Sequence, residues 1–169
     1  MSPQVEAALI AGSVSLVIAL IGLAANSRAA KRDRRRELYG EAVKAALSWH
    51  EMLYRVRRRA PGDDAASALV ERFHDLQESI TYHQAWISAE SRSIGRSYER
   101  LVRSVKQKTE RLITDAWSSQ VRTIPGNAAP GDVHPNVQGD AELLMRDVRS
   151  HLSLQPWRRL ALMLRSRNY

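Results

Sequence analysis

The sequence predicts an all-α protein: a single amino-terminal transmembrane helix followed by a cytoplasmic antiparallel bundle of three long helices, a short fourth helix and a tail helix. Three observations carry this. Residues 7–25 hold no charge, apolar residues beyond position 38 recur at spacings of three and four, and no run alternates apolar with polar as a half-buried strand would.

The 19 uncharged residues Ala7 to Ala25 would make a helix about 28 Å long, enough to cross a hydrocarbon core. The opening MSPQVE carries Glu6 and no Lys or Arg, which is a poor start for a cleaved secretory signal. Arg28, Lys31, Arg32, Arg34, Arg35 and Arg36 follow the stretch. The positive-inside bias therefore puts the amino terminus outside and the remainder in the cytoplasm. Twenty-two of the 26 basic residues are Arg, a hint of GC-rich bacterial coding, so the expected location is a bacterial inner membrane. The domain division expected is an anchor over 1–27 and a bundle over 28–169. Within the span, Ala8, Gly12, Ser15, Ala19, Gly22 and Asn26 fall on one stripe of small or polar residues. Lipid offers no hydrophobic drive between helices, so such a stripe is where spans approach and hydrogen-bond. It predicts a homo-oligomer or a membrane-protein partner.

The first bundle helix is expected to run to about Arg59, with Leu38, Ala42, Ala45, Trp49, Met52 and Val56 facing inward. Pro61 and Gly62 stop it, and Asp63 or Asp64 is placed to cap the second. That second helix reaches about Ala89 along the seam Leu69, Phe73, Leu76, Ile80, His83, Ile87. Ser91 is the expected cap of the third, which points Ile94, Tyr98, Leu101, Val105, Leu112 and Trp117 inward with a break at Lys108. With no Gly or Pro near Ser88 to Ser91, a continuous rod is the competing arrangement. Residues 123–139 hold three Pro and three Gly and read as a loop. Asp140 then caps a short helix with Ala141, Leu144, Met145, Val148 and Leu152 inside, ended or kinked by Pro156.

Charge alternates along the chain: +7 over 28–59, −5 over 60–90, +5 over 91–122, −2 over 123–155 and +4 over 156–169, within a total of +8. An acidic second helix between two basic ones would neutralise much of this internally. The tail, 157–167, sets Trp157, Leu160, Ala161 and Leu164 on one face beside Arg158, Arg159, Arg165 and Arg167. Continuing the return of the fourth helix, it has the makings of an interfacial helix on anionic lipid headgroups. The simpler alternative is that Trp157, Leu160 and Leu164 close the core. Leu162 and Met163 fit neither face.

Chemistry finds little support. Zero Cys excludes disulfide frameworks, zinc ribbons and thiol nucleophiles, and no phosphate-loop, dinucleotide, nucleophile-elbow or zincin motif occurs. The lone E-x-x-H, Glu71 to His74, lacks the second copy that a di-iron bundle needs. No cofactor is expected, and none of His50, His74, His83, His134 and His151 sits in a catalytic pattern; Asp147 with His151 reads as a surface pair. The basic stretches 31–36 and 55–59 and the set Arg92, Arg96, Arg100, Arg103, Lys106 could meet phosphates, but no recognition helix or aromatic platform accompanies them. The reading is a non-enzymatic, single-pass scaffold or interaction module, oligomeric through its span. Its alternatives are a pore-forming or lysis-type membrane assembly and a membrane-tethered nucleic-acid-binding protein.

Overall fold

The computed structural model describes residues 3–119, 135–153 and 155–167, and side chains for these except 3–18, 21, 24, 28, 156, 159, 166 and 167. Every element among them is helical: α1 (Pro3–Arg57), α2 (Asp63–Glu90), α3 (Arg92–Ser118), α4 (Gln138–Leu152) and α5 (Pro156–Arg167). The chain divides into two compact units, residues 1–38 and 39–169. Among the described residues no helix is long and apolar enough to cross a membrane. The backbone of 7–25 is helical within α1, but most of its side chains lie outside the described residues, including those of Ala8, Gly12 and Ser15; Ala19, Gly22 and Asn26 are exposed.

The second unit is an antiparallel bundle. Tyr39 at the start of its first helix meets Trp86 at the end of α2, and Trp49 meets Phe73 near the start of α2, with ring centroids 6.3 and 5.3 Å apart. That pairing reverses the chain between the two helices. The junction of α2 and α3 is one residue, Ser91, in extended conformation. Its N–H donates to Ile87 O and its carbonyl accepts from Gly95 N, each at 2.8 Å, while its Oγ accepts from Ile94 N at 3.5 Å. Ser91 thus ends one helix and caps the next, giving a hairpin and not a rod. Close packing follows at Gly95, where an added Cβ would lie 2.9 Å from the Ser88 Cα and 2.5 Å from its Oγ.

The α4 helix runs antiparallel to α3, since Asp140 meets Ser104 while Asp147 meets Ser97. The core holds Tyr39, Ala42, Ile80, Ile87, Ile94, Tyr98, Leu101, Val105, Leu144 and Val148. A smaller cluster of Leu53, Val56 and Ala116 lies under Phe73, Leu112, Ile113 and Trp117. The middle of each apolar seam expected of the first three helices is therefore buried, while Leu38, Trp49, Leu69, Phe73, Leu112 and Trp117 are half-buried.

Several local expectations are corrected. Gly62, at φ +117°, precedes α2 where Asp63 or Asp64 was expected to cap, and the two aspartates sit instead in the first turn, where their charge favours the helix dipole. Asp140 does not cap α4. The helix begins earlier, at Gln138, whose N–H donates to Asn136 Oδ1 at 2.9 Å, so the end of the expected loop is helical. Asp140 turns to α3, accepting from Ser104 Oγ at 2.8 Å and Lys108 Nζ at 2.6 Å. Lys108 interrupts the α3 seam for that contact, and fully buried Thr109 fills the core beside it. Met145, expected inside, is exposed. Pro156 opens α5, a position whose N–H needs no partner, and Ser153 and Gln155 before it are not helical.

Candidate functional site

The tail helix carries the most unusual surface of the described molecule. A 12-residue helix with Trp157, Leu160, Ala161, Leu162, Met163 and Leu164 is apolar over more than one stripe, and only one stripe can face the bundle. The stripe that docks is Leu162, 3% exposed and part of the core. Trp157, Leu160, Met163 and Leu164 are 56–63% exposed. The alternative in which Trp157, Leu160 and Leu164 close the core is thus overturned, and Leu162, which fitted neither face, supplies the contact.

What rotates α5 this way is an ion pair. Asp147 is almost wholly buried on α4. Its Oδ2 accepts from Ser97 Oγ at 2.7 Å and its Oδ1 from Arg165 Nη1 at 3.3 Å. A buried carboxylate without partners is costly, so this one holds both the third helix and the tail. Asp147 is therefore no surface partner of His151, whose ring packs edge-on against Tyr39, 6.1 Å between centroids. Because Arg165, near the end of α5, returns to the middle of α4, the tail folds back beside α4 and does not extend its direction.

Of the arginines expected at a membrane surface, Arg158 is exposed, Arg165 is drawn in by Asp147, and the side chains of Arg159 and Arg167 lie outside the described residues. Arg34 and Arg36 are exposed, Arg32 and Arg35 half-buried, and Arg36 pairs with Asp33 at 3.4 Å. Two residues missed from the sequence, Arg146 and Arg149, line the surface of α4 toward α5. Their three-residue spacing was the available signal, though nothing said that the tail would fold back onto it.

The other basic stretches have internal work. Arg59 donates to Ala116 O, Trp117 O and Ser119 O at 2.7–2.8 Å and to Val56 O at 3.0 Å, and so caps the carboxyl end of α3 together with that of α1. Lys106 lies over the Trp49 ring at 4.5 Å. Lys108 serves Asp140, so a charge contact joins α3 to α4. Glu71 and His74 are both exposed, and no group of three metal-ligating side chains occurs among the described residues. His50 is not a simple surface residue: its Nε2 lies 3.1 Å from Pro135 O, tying the segment before α4 to α1. His83 is buried, and desolvation pushes its pKa below the ordinary value although the Glu41 charge opposes this. His134 lies outside the described residues. No protein family, curated protein or solved structure matches the chain.

Proposed function

We propose that the protein is a membrane-anchored helical interaction module without chemistry of its own, residing at a bacterial inner membrane with its bundle on the cytoplasmic side. The observation that carries this reading is the apolar row on α5, exposed to solvent among arginines. In water that row gains nothing, whereas burying a Leu or Met side chain at an acyl boundary is worth on the order of 1.5–3 kcal/mol. The uncharged stretch Ala7 to Ala25 would supply the anchor, the arginines after it the orientation, and the small-residue stripe self-association.

The absence of Cys makes the test clean. Ser2→Cys and Ser118→Cys variants of the full chain would be expressed in bacteria and exposed to a membrane-impermeant maleimide. The reading expects resistance to alkaline extraction, labelling of Cys at position 2 in intact spheroplasts, and labelling at position 118 only after lysis. Release by alkali would sink the anchor. Gly12→Leu with Gly22→Leu is expected to abolish crosslinking of copies in membranes with helicity unchanged; crosslinking that persists would remove the stripe from the account.

A further inference from the structure

Between α4 and α5 lies an open groove of about 620 Å³. Its walls bring together Arg146 and Arg149 from α4 with Arg158 and Arg165 from α5, over an apolar floor that includes Leu143 and Ala161. Arg146 and Arg149 are one helical turn apart, and Arg158 and Arg165 two turns apart, so each pair lies along one face of its helix. One carboxylate shares the lining, that of Glu142, and its Oε1 is engaged by Gln138 Nε2 at 3.0 Å. Asp147 balances Arg165 from the bundle side, where it is 4% exposed. Three arginines therefore line one concavity against the single carboxylate of Glu142, beside a fourth whose position Asp147 fixes; Arg149 Nε donates to Met145 O at 3.3 Å, which leaves its two terminal nitrogens for a ligand.

Like charges gathered on folding repel one another, and an anion between them removes that repulsion. We propose that this groove binds a phosphate group, the arginine forks closing on its oxygens as bidentate donors. The exposed stripe Trp157, Leu160 and Leu164 runs one residue out of phase with Arg158, Ala161 and Arg165, so an apolar margin adjoins the groove. A phosphomonoester or phosphodiester bearing acyl chains satisfies both surfaces at once. This lipid source rests on the membrane reading above; the phosphate site itself does not.

The test uses the full chain in a non-ionic detergent. Binding is measured by calorimetry with three probes: inorganic phosphate, short-chain phosphatidic acid and short-chain phosphatidylcholine. The variant is Arg146→Gln, Arg149→Gln, Arg158→Gln, which leaves the Arg165 to Asp147 contact in place and keeps good helix formers; circular dichroism verifies its fold. Phosphatidic acid binding the parent at least tenfold tighter than inorganic phosphate supports the site with a lipid ligand. Equal affinity supports it with a free phosphate. In either case the triple variant is expected to lose at least tenfold, and the parent to weaken as salt rises. No binding of either phosphate probe, or equal binding by parent and variant, overturns the proposal. Loss of the anchor in the extraction experiment would leave this measurement standing, so the two failures are told apart.

Discussion

Arg59 and Trp117, 58 residues apart, meet twice: the guanidinium donates to the Trp117 carbonyl at 2.8 Å and its carbon lies 5.5 Å from the centre of the indole ring. Together with the bonds to Ala116 and Ser119, this closes the carboxyl end of α3 against the segment after α1. Hydrogen bonds from a charged donor are worth about 1.5–3 kcal/mol, and the exposed edge of this site lowers the sum. Arg59→Ala is expected to destabilise the full chain by about 2 kcal/mol in urea unfolding. Arg59→Lys should recover less than half, because an ammonium cannot span the four carbonyls that the guanidinium reaches. Full recovery by Lys would reduce the contact to charge alone.

Gly95 and Gly40 predict opposite signs for one substitution. At Gly40 an added Cβ meets nothing within 4 Å, so Gly40→Ala should stabilise by up to about 1 kcal/mol through helix propensity. At Gly95 the same Cβ presses on Ser88 backbone, and overpacking of this kind costs about 1–3 kcal/mol. Thermal melts of the two variants side by side decide it; a stabilised Gly95→Ala would mean that the α2 and α3 hairpin opens freely.

The Asp147 pair should respond asymmetrically. Arg165→Met leaves a buried carboxylate with Ser97 alone, and Asp147→Asn leaves an arginine that can turn to water, its side chain being 36% exposed. The first change is expected to cost more, by about 1–2 kcal/mol, since an uncompensated buried charge carries the larger penalty. Limited proteolysis after Arg158 should accelerate in both. Equal costs would show that Asp147 is no longer buried once the tail is free.

Acid should weaken the bundle in two stages. The His83 pKa is depressed below 6.5 in the fold, so its contribution is complete above that pH and is lost as pH falls through the lower folded value. Burial pushes Asp140 up, but Lys108 and Ser104 outweigh it and leave its pKa below 3.8, so its contribution persists to lower pH and is lost only beneath that. Melting temperature is therefore expected to fall from pH 7 to pH 5 in the parent and to fall less in His83→Gln. An identical slope in that variant would exclude His83.

Tyr98 is fully buried, and its hydroxyl finds no hydrogen-bond partner among the described residues. An unpaired buried hydroxyl costs about 1–3 kcal/mol, so Tyr98→Phe should be neutral or stabilising. A clear loss of stability would reveal a partner for that oxygen.

The three long helices were legible because each presents one apolar stripe of constant spacing, and removing that stripe from water is the strongest force driving the chain to fold. Ser91 was legible only in part: it offers a cap hydroxyl, but Ser88 and Ser93 flank it and no Gly or Pro marks the break, so the extended backbone at Ser91 decides between hairpin and rod. The corner of α4 and α5 was not. Asp140 has the chemistry of a cap, but Ser104 and Lys108, more than 30 residues away, take its oxygens. On α5 periodicity offers several stripes, and the choice of Leu162 over Trp157 is made by Arg165 reaching Asp147. Contacts at that separation leave no mark in a local pattern.

The single-residue turn at Ser91 also sets an order of assembly. Closing a loop this short sacrifices little chain entropy, and neighbours along the sequence find each other in microseconds. The α2 and α3 hairpin can therefore form as a nucleus during synthesis, before Asp140 and Asp147 have been added. The later helices then meet a template with Ser97, Ser104 and Lys108 already aligned, and the carboxylates of α4 read off its register.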